Sequence, residues 1–197
     1  VHVFGDVPEV EAAAPGLPRP VVKGGERKCV KIPGFDLGNS PREYVTEKIG
    51  GASVCLTTTN GTRALLAVRE AHQIYAASLL NAGVTAAALL PDLAERDTIL
   101  LCAGTDGQIS IEDVLGAGAI LFEILQKTYS PVLPLTDTAW IAYQTFVAAK
   151  PRLSAGLRLG QGALNLMEAG LEDDIEFCAQ LDAAPLLAVV EKDPLRI

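Results

Sequence analysis

The sequence predicts an α/β protein built on a parallel sheet. Strand-like runs at 53–58, 74–78 and 98–103 each end in a short polar turn and are each followed by a helical pattern. That order is the signature of right-handed βαβ crossovers. The strand interiors are nearly continuous apolar runs, as expected for strands covered on both faces. The chain has 197 residues, 49% hydrophobic and 20% charged, which makes one core-rich domain, or one domain with an appendage. A chain of this length buries enough surface to need no disulfide or metal staple.

The elements follow in order. Val1–Phe4 reads as a strand, and residues 8–14 as a short helix with Pro8 in its first turn. Val21–Lys23 reads as a strand that ends at the turn Gly24-Gly25-Glu26-Arg27. That turn is either a solvated ion pair or a carboxylate for a metal beside a guanidinium for an anion, since the planar fork of arginine donates in pairs. Gly34-Phe35-Asp36-Leu37-Gly38-Asn39-Ser40-Pro41 is too broken by glycine and proline for a helix or a central strand. It gathers a carboxylate, an amide, a hydroxyl and an aromatic anchor into one loop, which is either a site or an Asx-type turn. Residues 41–48 read as a short helix with Ser40 as N-cap and Glu43 closing a capping box. Helices are expected at 63–71, 82–94 and 111–127, after the three strands. Ser110 and Asp113 form a capping arrangement for the last of these, which outweighs a metal role for Glu112. A helix over 137–149 has Thr136 as N-cap and is stopped by Pro151. Residues 154–162 read as irregular or briefly helical, 172–181 as a final helix and 186–190 as a last strand.

In a parallel sheet the strand C-termini share one edge, where ligands bind. The three exits here are 57–62 (Thr-Thr-Thr-Asn-Gly-Thr), 78–81 and 104–107, all rich in hydroxyl or amide groups. The first is the richest, and its glycine before a helix start suits an anion. Neither a Walker-type phosphate loop nor a dinucleotide fingerprint occurs at these turns, which disfavours a nucleoside triphosphate or NAD.

The formal charge of −8 argues against nucleic acid and anionic membranes as partners. Residues 71–91 carry no formal charge, but Gln73, Ser78, Asn81, Gly83 and Thr85 break the run and argue against a membrane span. The four cysteines, Cys29, Cys55, Cys102 and Cys178, form no C-x-x-C pair and read as reduced thiols of a cytoplasmic protein. Cys55 and Cys102 fit core positions. His2 and His72 lie outside the polar loops, against a histidine zinc site or a Ser-His-Asp triad.

Gly-Gly-Glu-Arg (24–27), Gly-Phe-Asp-Leu-Gly-Asn-Ser-Pro (34–41), Thr-Thr-Thr-Asn-Gly-Thr (57–62), Leu-Cys-Ala-Gly-Thr (101–105) and Ile-Glu-Asp-Val-Leu-Gly-Ala-Gly-Ala (111–119), in this order, resemble the 2-phosphosulfolactate phosphatase family, the ComB-like proteins. The resemblance implies a three-layer α/β/α sandwich with a largely parallel or mixed sheet. It implies a magnesium-dependent phosphatase that hydrolyses (2R)-2-phospho-3-sulfolactate, a step of coenzyme M biosynthesis. Glu26 and Asp36 are then the first candidates for catalysis and for holding Mg2+, which needs only one or two carboxylates besides water and substrate. Arg27, Asn39, Ser40, Thr58, Thr59, Asn60, Gly61 and Thr62 are the candidates for binding the small phosphorylated substrate. The family carries a further strand, with an Asp-Val-Leu-Arg-Ala-Thr-like motif, ahead of the region at Val1. Its absence here predicts an open sheet edge and an incomplete site. Two other classes remain open: a phosphatase or lyase acting on a different phosphorylated hydroxy acid, and a non-catalytic anion-binding protein.

Overall fold

The computed structural model describes residues 1–128 and 133–197. The chain begins with β1 (His2–Val3), α1 (Val7–Ala13), β2 (Val21–Arg27), β3 (Val30–Lys31), α2 (Thr46–Ile49), β4 (Ser53–Thr57) and α3 (Gly61–Ala67). It continues through β5 (Tyr75–Ala76), α4 (Ala82–Leu89), α5 (Ile111–Lys127), α6 (Asp137–Ala149), α7 (Leu153–Leu157), α8 (Gln161–Glu168) and α9 (Asp173–Cys178). It closes with β6 (Ala188–Val189), β7 (Glu191–Lys192) and β8 (Leu195–Arg196). The expected α/β class holds, on a six-stranded mixed sheet in the order β3-β2-β4-β1-β8-β7.

The described residues divide into two compact units. The first comprises residues 1–74, 165–174 and 189–197. Its centre is β4, parallel to β1 on one side and to β2 on the other, with Gly25 opposite Thr57. The hairpin β7–β8 extends the sheet antiparallel to β1. β1 therefore has a hydrogen-bonded neighbour on both sides, and the open edge expected beside the first strand does not occur there. Val10, Ile32, Phe35 and Cys55 form a buried cluster between α1 and the sheet. Asp6 fixes the start of α1: its Oδ1 accepts from Glu9 N at 2.9 Å, while Glu9 Oε2 accepts from Gly5 N at 2.7 Å. This reciprocal pair satisfies two amides that a helix start otherwise leaves open.

The second unit comprises residues 75–164 and 175–188. Its core is the pair α5 and α6. An added Cβ at Gly118 of α5 would lie 2.2 Å from Ala142 O and 2.6 Å from Phe146 Cβ, so only glycine admits this approach. Phe122 stacks on Tyr143 at 6.3 Å and tilts against Phe146 at 5.6 Å, with Lys150 Nζ 3.7 Å over its ring. Thr136 caps α6 through Ala139 N, as its sequence position predicts.

Several sequence expectations change. β2 runs straight through Gly24-Gly25-Glu26-Arg27, the segment that reads as a turn. Residues 98–103 form no strand, and Ile99 and Leu101 stand 84% and 53% exposed. An apolar run needs a ladder partner to become a strand, and this one has none among the described residues. β5 pairs with β6 in a separate two-stranded sheet, so the three predicted strand exits do not line one edge of one parallel sheet. Cys102 is exposed and Cys55 buried. The helix over 41–48 is a 3-10 turn (Pro41–Glu43) followed by α2. Residues 154–162, read as irregular or briefly helical, contain the short helix α7, and α8 follows from Gln161.

Replacing Gly118 by alanine should destabilise the chain by about 1–3 kcal/mol, the usual cost of forcing a methyl into a packed contact. Chemical denaturation of the variant beside the parent chain measures it. An unchanged midpoint would show that α5 and α6 separate easily.

Candidate functional site

The site is built where β2 and β4 end side by side. Gly25 makes their closeness possible: it holds φ 153°, and an added Cβ would lie 2.1 Å from Thr57 O. Beyond Gly25 the chain sends out Glu26, which is buried at 8% exposure, and Arg27. The strand then reverses through Lys28 and Cys29, both left-handed at φ 54° and 61°, the geometry of a two-residue hairpin turn. Neither residue is the glycine or asparagine that normally announces such a turn, so sequence reasoning had no signal for it.

Glu26 ties this hairpin to the exit of β4. Its Oε1 accepts from Thr59 N at 2.8 Å. Its Oε2 accepts from Cys29 N at 2.9 Å and from Thr59 Oγ1 at 3.2 Å. Hydrogen bonds to an ionised carboxylate contribute about 1.5–3 kcal/mol each, so this one side chain positions both loops. Arg27 is anchored at one end of its fork. Its Nη1 donates to Glu26 O at 2.7 Å and, weakly, to Thr57 O at 3.4 Å, and its Nη2 donates to Thr57 Oγ1 at 3.2 Å. A guanidinium has five donors. Among the described residues nothing accepts from Nε–H or from one Nη2–H.

Thr58 and Thr62 lock on each other. Thr58 N donates to Thr62 Oγ1 at 3.2 Å, Thr62 N to Thr58 Oγ1 at 3.2 Å, and Thr62 Oγ1 to Thr58 O at 3.0 Å. Both are buried, and they fix the turn into α3. Asn60 is the residue before α3, half-buried, and its side chain makes no capping bond. Gly61, exposed, opens the helix.

The loop of residues 34–41 runs along the other edge of β2. Asp36 N and Leu37 N donate to Lys23 O at 2.9 and 3.1 Å, and Asp36 Oδ2 accepts from Lys23 N at 2.8 Å. Phe35 is buried in the core cluster. Ser40 does not form the expected capping box. Its Oγ donates to buried Asp174 Oδ1 at 2.8 Å, while Glu43 Oε2 accepts from Gly38 N at 2.9 Å. Asn39 is exposed.

The structure therefore brings Glu26, Arg27, Thr57, Thr58, Thr59, Asn60 and Thr62 together, and leaves Asp36 with Lys23. Lys23 lies three residues before Glu26, about 10 Å along an extended strand. Thr57, Cys29 and Asp174 are neighbours of these residues that the sequence did not place among the site candidates. Thr57 was visible only as one of a run of threonines, and the partnership of Asp174 with Ser40 spans the sequence from one end to the other.

Residues 1–193 match the 2-phosphosulpholactate phosphatase family as a whole. The chain belongs to this family. It is 42% identical over 171 residues to a protein of Symbiobacterium thermophilum named "Probable 2-phosphosulfolactate phosphatase", covering 87% of this chain and 72% of that one. Proteins of the same name from Caldanaerobacter subterraneus and Thermus thermophilus are each 39% identical, over 158 and 184 residues. These alignments cover 80% and 93% of this chain, and 64% and 76% of the relatives.

The family resemblance directs attention to magnesium. That ion takes oxygen ligands in near-octahedral geometry, often one or two carboxylates with water and substrate. Glu26 has one donor on Oε1 and two on Oε2, and Asp36 lies along the strand from it. Among the described residues no three His, Cys, Asp or Glu side chains group to hold a metal. Glu26 and Asp36 as placed do not fit one shared ion. Burial pushes the Cys29 thiol up from its ordinary value, and the Glu26 charge adds to the effect. A low-pKa thiolate requires the opposite surroundings.

Two outcomes are expected. Alkylation of Cys29 by iodoacetamide, followed by peptide mass spectrometry, should accelerate with a midpoint above pH 9.0. In Glu26→Gln that midpoint should fall, because removing a neighbouring negative charge eases thiol ionisation. A Cys29 that reacts fully at pH 7 in the parent chain would contradict this picture of the hairpin.

Proposed function

We propose that this chain is a magnesium-dependent phosphoric monoester hydrolase that converts (2R)-2-phospho-3-sulfolactate to 3-sulfolactate and phosphate, in the biosynthesis of coenzyme M. The observation that carries the proposal is the half-engaged fork of Arg27. Its anchored end fixes the guanidinium at the exits of β2 and β4. Its open Nε–H and Nη2–H supply the paired donors that a phosphoryl or sulfonate group accepts.

The other residues take roles from their partners. Asn60 stands at the β4 exit with no capping hydrogen bond from its side chain, and its amide orients the substrate. Thr59 is held in place by Glu26. Thr58 and Thr62 shape the turn, and Ser40 and Asn39 belong to the adjoining loop. Glu26 acts as a positioning residue that bonds both loops. Hydrolysis breaks the bond between phosphorus and the C2 oxygen, places a water oxygen on phosphorus and returns a proton to the sulfolactate hydroxyl. The protein's contribution is to stabilise the charge on the transferring group and to hold it in line. Magnesium would supply further charge neutralisation to such a reaction, but Glu26 and Asp36 as placed give it no shared site. Among the described residues no helix is long and apolar enough to cross a membrane.

Phosphate release from 2-phosphosulfolactate, with and without EDTA, tests the reading. Arg27→Lys should lower kcat/KM by at least tenfold, because a lysine cannot donate in a planar pair. Asn60→Ala should reduce turnover far more than thermal stability. Turnover of phospholactate equal to that of phosphosulfolactate would assign a different hydroxy acid. No phosphate release from either, with retained binding of sulfolactate, would make the chain an anion-binding protein.

A further inference from the structure

Four residues other than glycine hold a positive φ among the described residues: Lys28, Cys29, Asp106 and Asp182. Aspartate tolerates this region because its short side chain bonds locally. Lysine and cysteine have no such compensation. Lys28 and Cys29 are also adjacent, and together they make the whole loop of the β2–β3 hairpin, between the paired residues Arg27 and Val30. Asparagine and glycine fit such a loop with little strain, and glycine takes positive φ at six other positions of the chain. A strained turn beside a candidate site points to a use for its side chains.

Cys29 is accounted for by the hairpin itself. Its N donates to Glu26 Oε2 at 2.9 Å, a main-chain bond that another residue would also make. Lys28 is exposed, and no carboxylate pairs with it among the described residues. Residues 26–31, Glu-Arg-Lys-Cys-Val-Lys, hold three cations and one carboxylate in a chain of net charge −8. That carboxylate, Glu26, is engaged with Thr59 and Cys29, and Lys31 Nζ donates to Asp36 O at 3.4 Å. Consecutive Cα atoms lie about 3.8 Å apart. The flexible stem of Lys28 can therefore bring its ammonium within about one Debye length, roughly 8 Å, of the Arg27 fork.

We propose that Lys28 is a specificity-determining residue of the phosphatase site, binding the sulfonate of the substrate while Arg27 takes the phosphoryl group. The inference rests on the phosphatase reading and names which group of that substrate the hairpin reads. 2-Phospho-3-sulfolactate carries three acidic groups, and one anchored fork donates a pair of N–H groups to only one of them. A sulfonate has three equivalent oxygens about one axis. An ammonium, a point charge with three rotatable donors, suits it better than a second planar fork would. The whole arrangement lies within the first unit.

The test compares the parent chain with Lys28→Asn, Lys28→Arg and Cys29→Gly on phosphosulfolactate and on phospholactate, which lacks the sulfonate. Asparagine suits the left-handed position and removes the charge. Lys28→Asn should not lower the melting temperature. It should raise KM for phosphosulfolactate about tenfold, the loss expected for one charge-assisted hydrogen bond, with kcat little changed. Its kcat/KM for phospholactate should stay near the parent value. Lys28→Arg should recover most of the loss. Cys29→Gly should raise the melting temperature and keep the parent KM, which separates relief of strain from loss of charge. The proposal is overturned if Lys28→Asn melts lower than the parent, if its KM for phosphosulfolactate is unchanged, or if both substrates suffer equally. A parent chain that releases no phosphate from either substrate would refute the phosphatase reading. Calorimetric binding of sulfolactate then decides on Lys28: about tenfold weaker binding in Lys28→Asn upholds it as the sulfonate ligand, and equal binding or none overturns it.

Discussion

The parallel pairing of β2 with β4 is the constraint on which the candidate site depends. It brings Gly25 against Thr57 so closely that no other residue fits. The next two residues, Glu26 and Arg27, are thereby delivered to the exit of the neighbouring strand. Glu26 then bonds the threonine loop, and Arg27 bonds the last residue of β4. A glycine that only enlarged backbone freedom would not do this. Here its missing Cβ is what allows two strand ends to share one set of polar groups.

That sharing divides the polar residues into two groups. Glu26, Thr58, Thr62 and Ser40 direct their oxygens inward, to amides, hydroxyls and Asp174. Arg27 and Asn60 keep polar atoms uncommitted. In a chain of net charge −8, a guanidinium fixed by neutral carbonyl and hydroxyl groups, with no carboxylate as direct partner among the described residues, retains its attraction for an anion. Pairing it with an acid would have cancelled that attraction. The inward group keeps the loops rigid, and a rigid loop loses little entropy when substrate binds.

The second unit uses its glycines differently. Gly118 admits the backbone of α6, and Gly160 and Gly162 admit the carboxylate of Glu112. In the first case the vacancy is filled by apolar packing, which stabilises the helix pair. In the second it is filled by charge, which burial alone disfavours. The contrast explains why α5 ends in an ordinary helix pair yet begins with two buried oxygens, Ser110 Oγ and Glu112 Oε2, that have no hydrogen-bond partner among the described residues.

By itself the sequence determined the α/β class, the long helix at 111–127, the capped helix at 137–149, and the gathering of polar residues in the motifs that mark the family. Hydrophobic period, proline and capping residues act over a few neighbours, so they are legible locally. Tertiary structure alone decided that Gly24-Gly25 continues a strand, that residues 98–103 remain outside any ladder, and that Ser40 meets Asp174 instead of capping a helix. It also decided that Asp36 stays with Lys23 while Glu26 meets Thr59. Each of these depends on which partner arrives across space. A glycine pair, an apolar run or a lone carboxylate looks the same in sequence whether that partner comes or not.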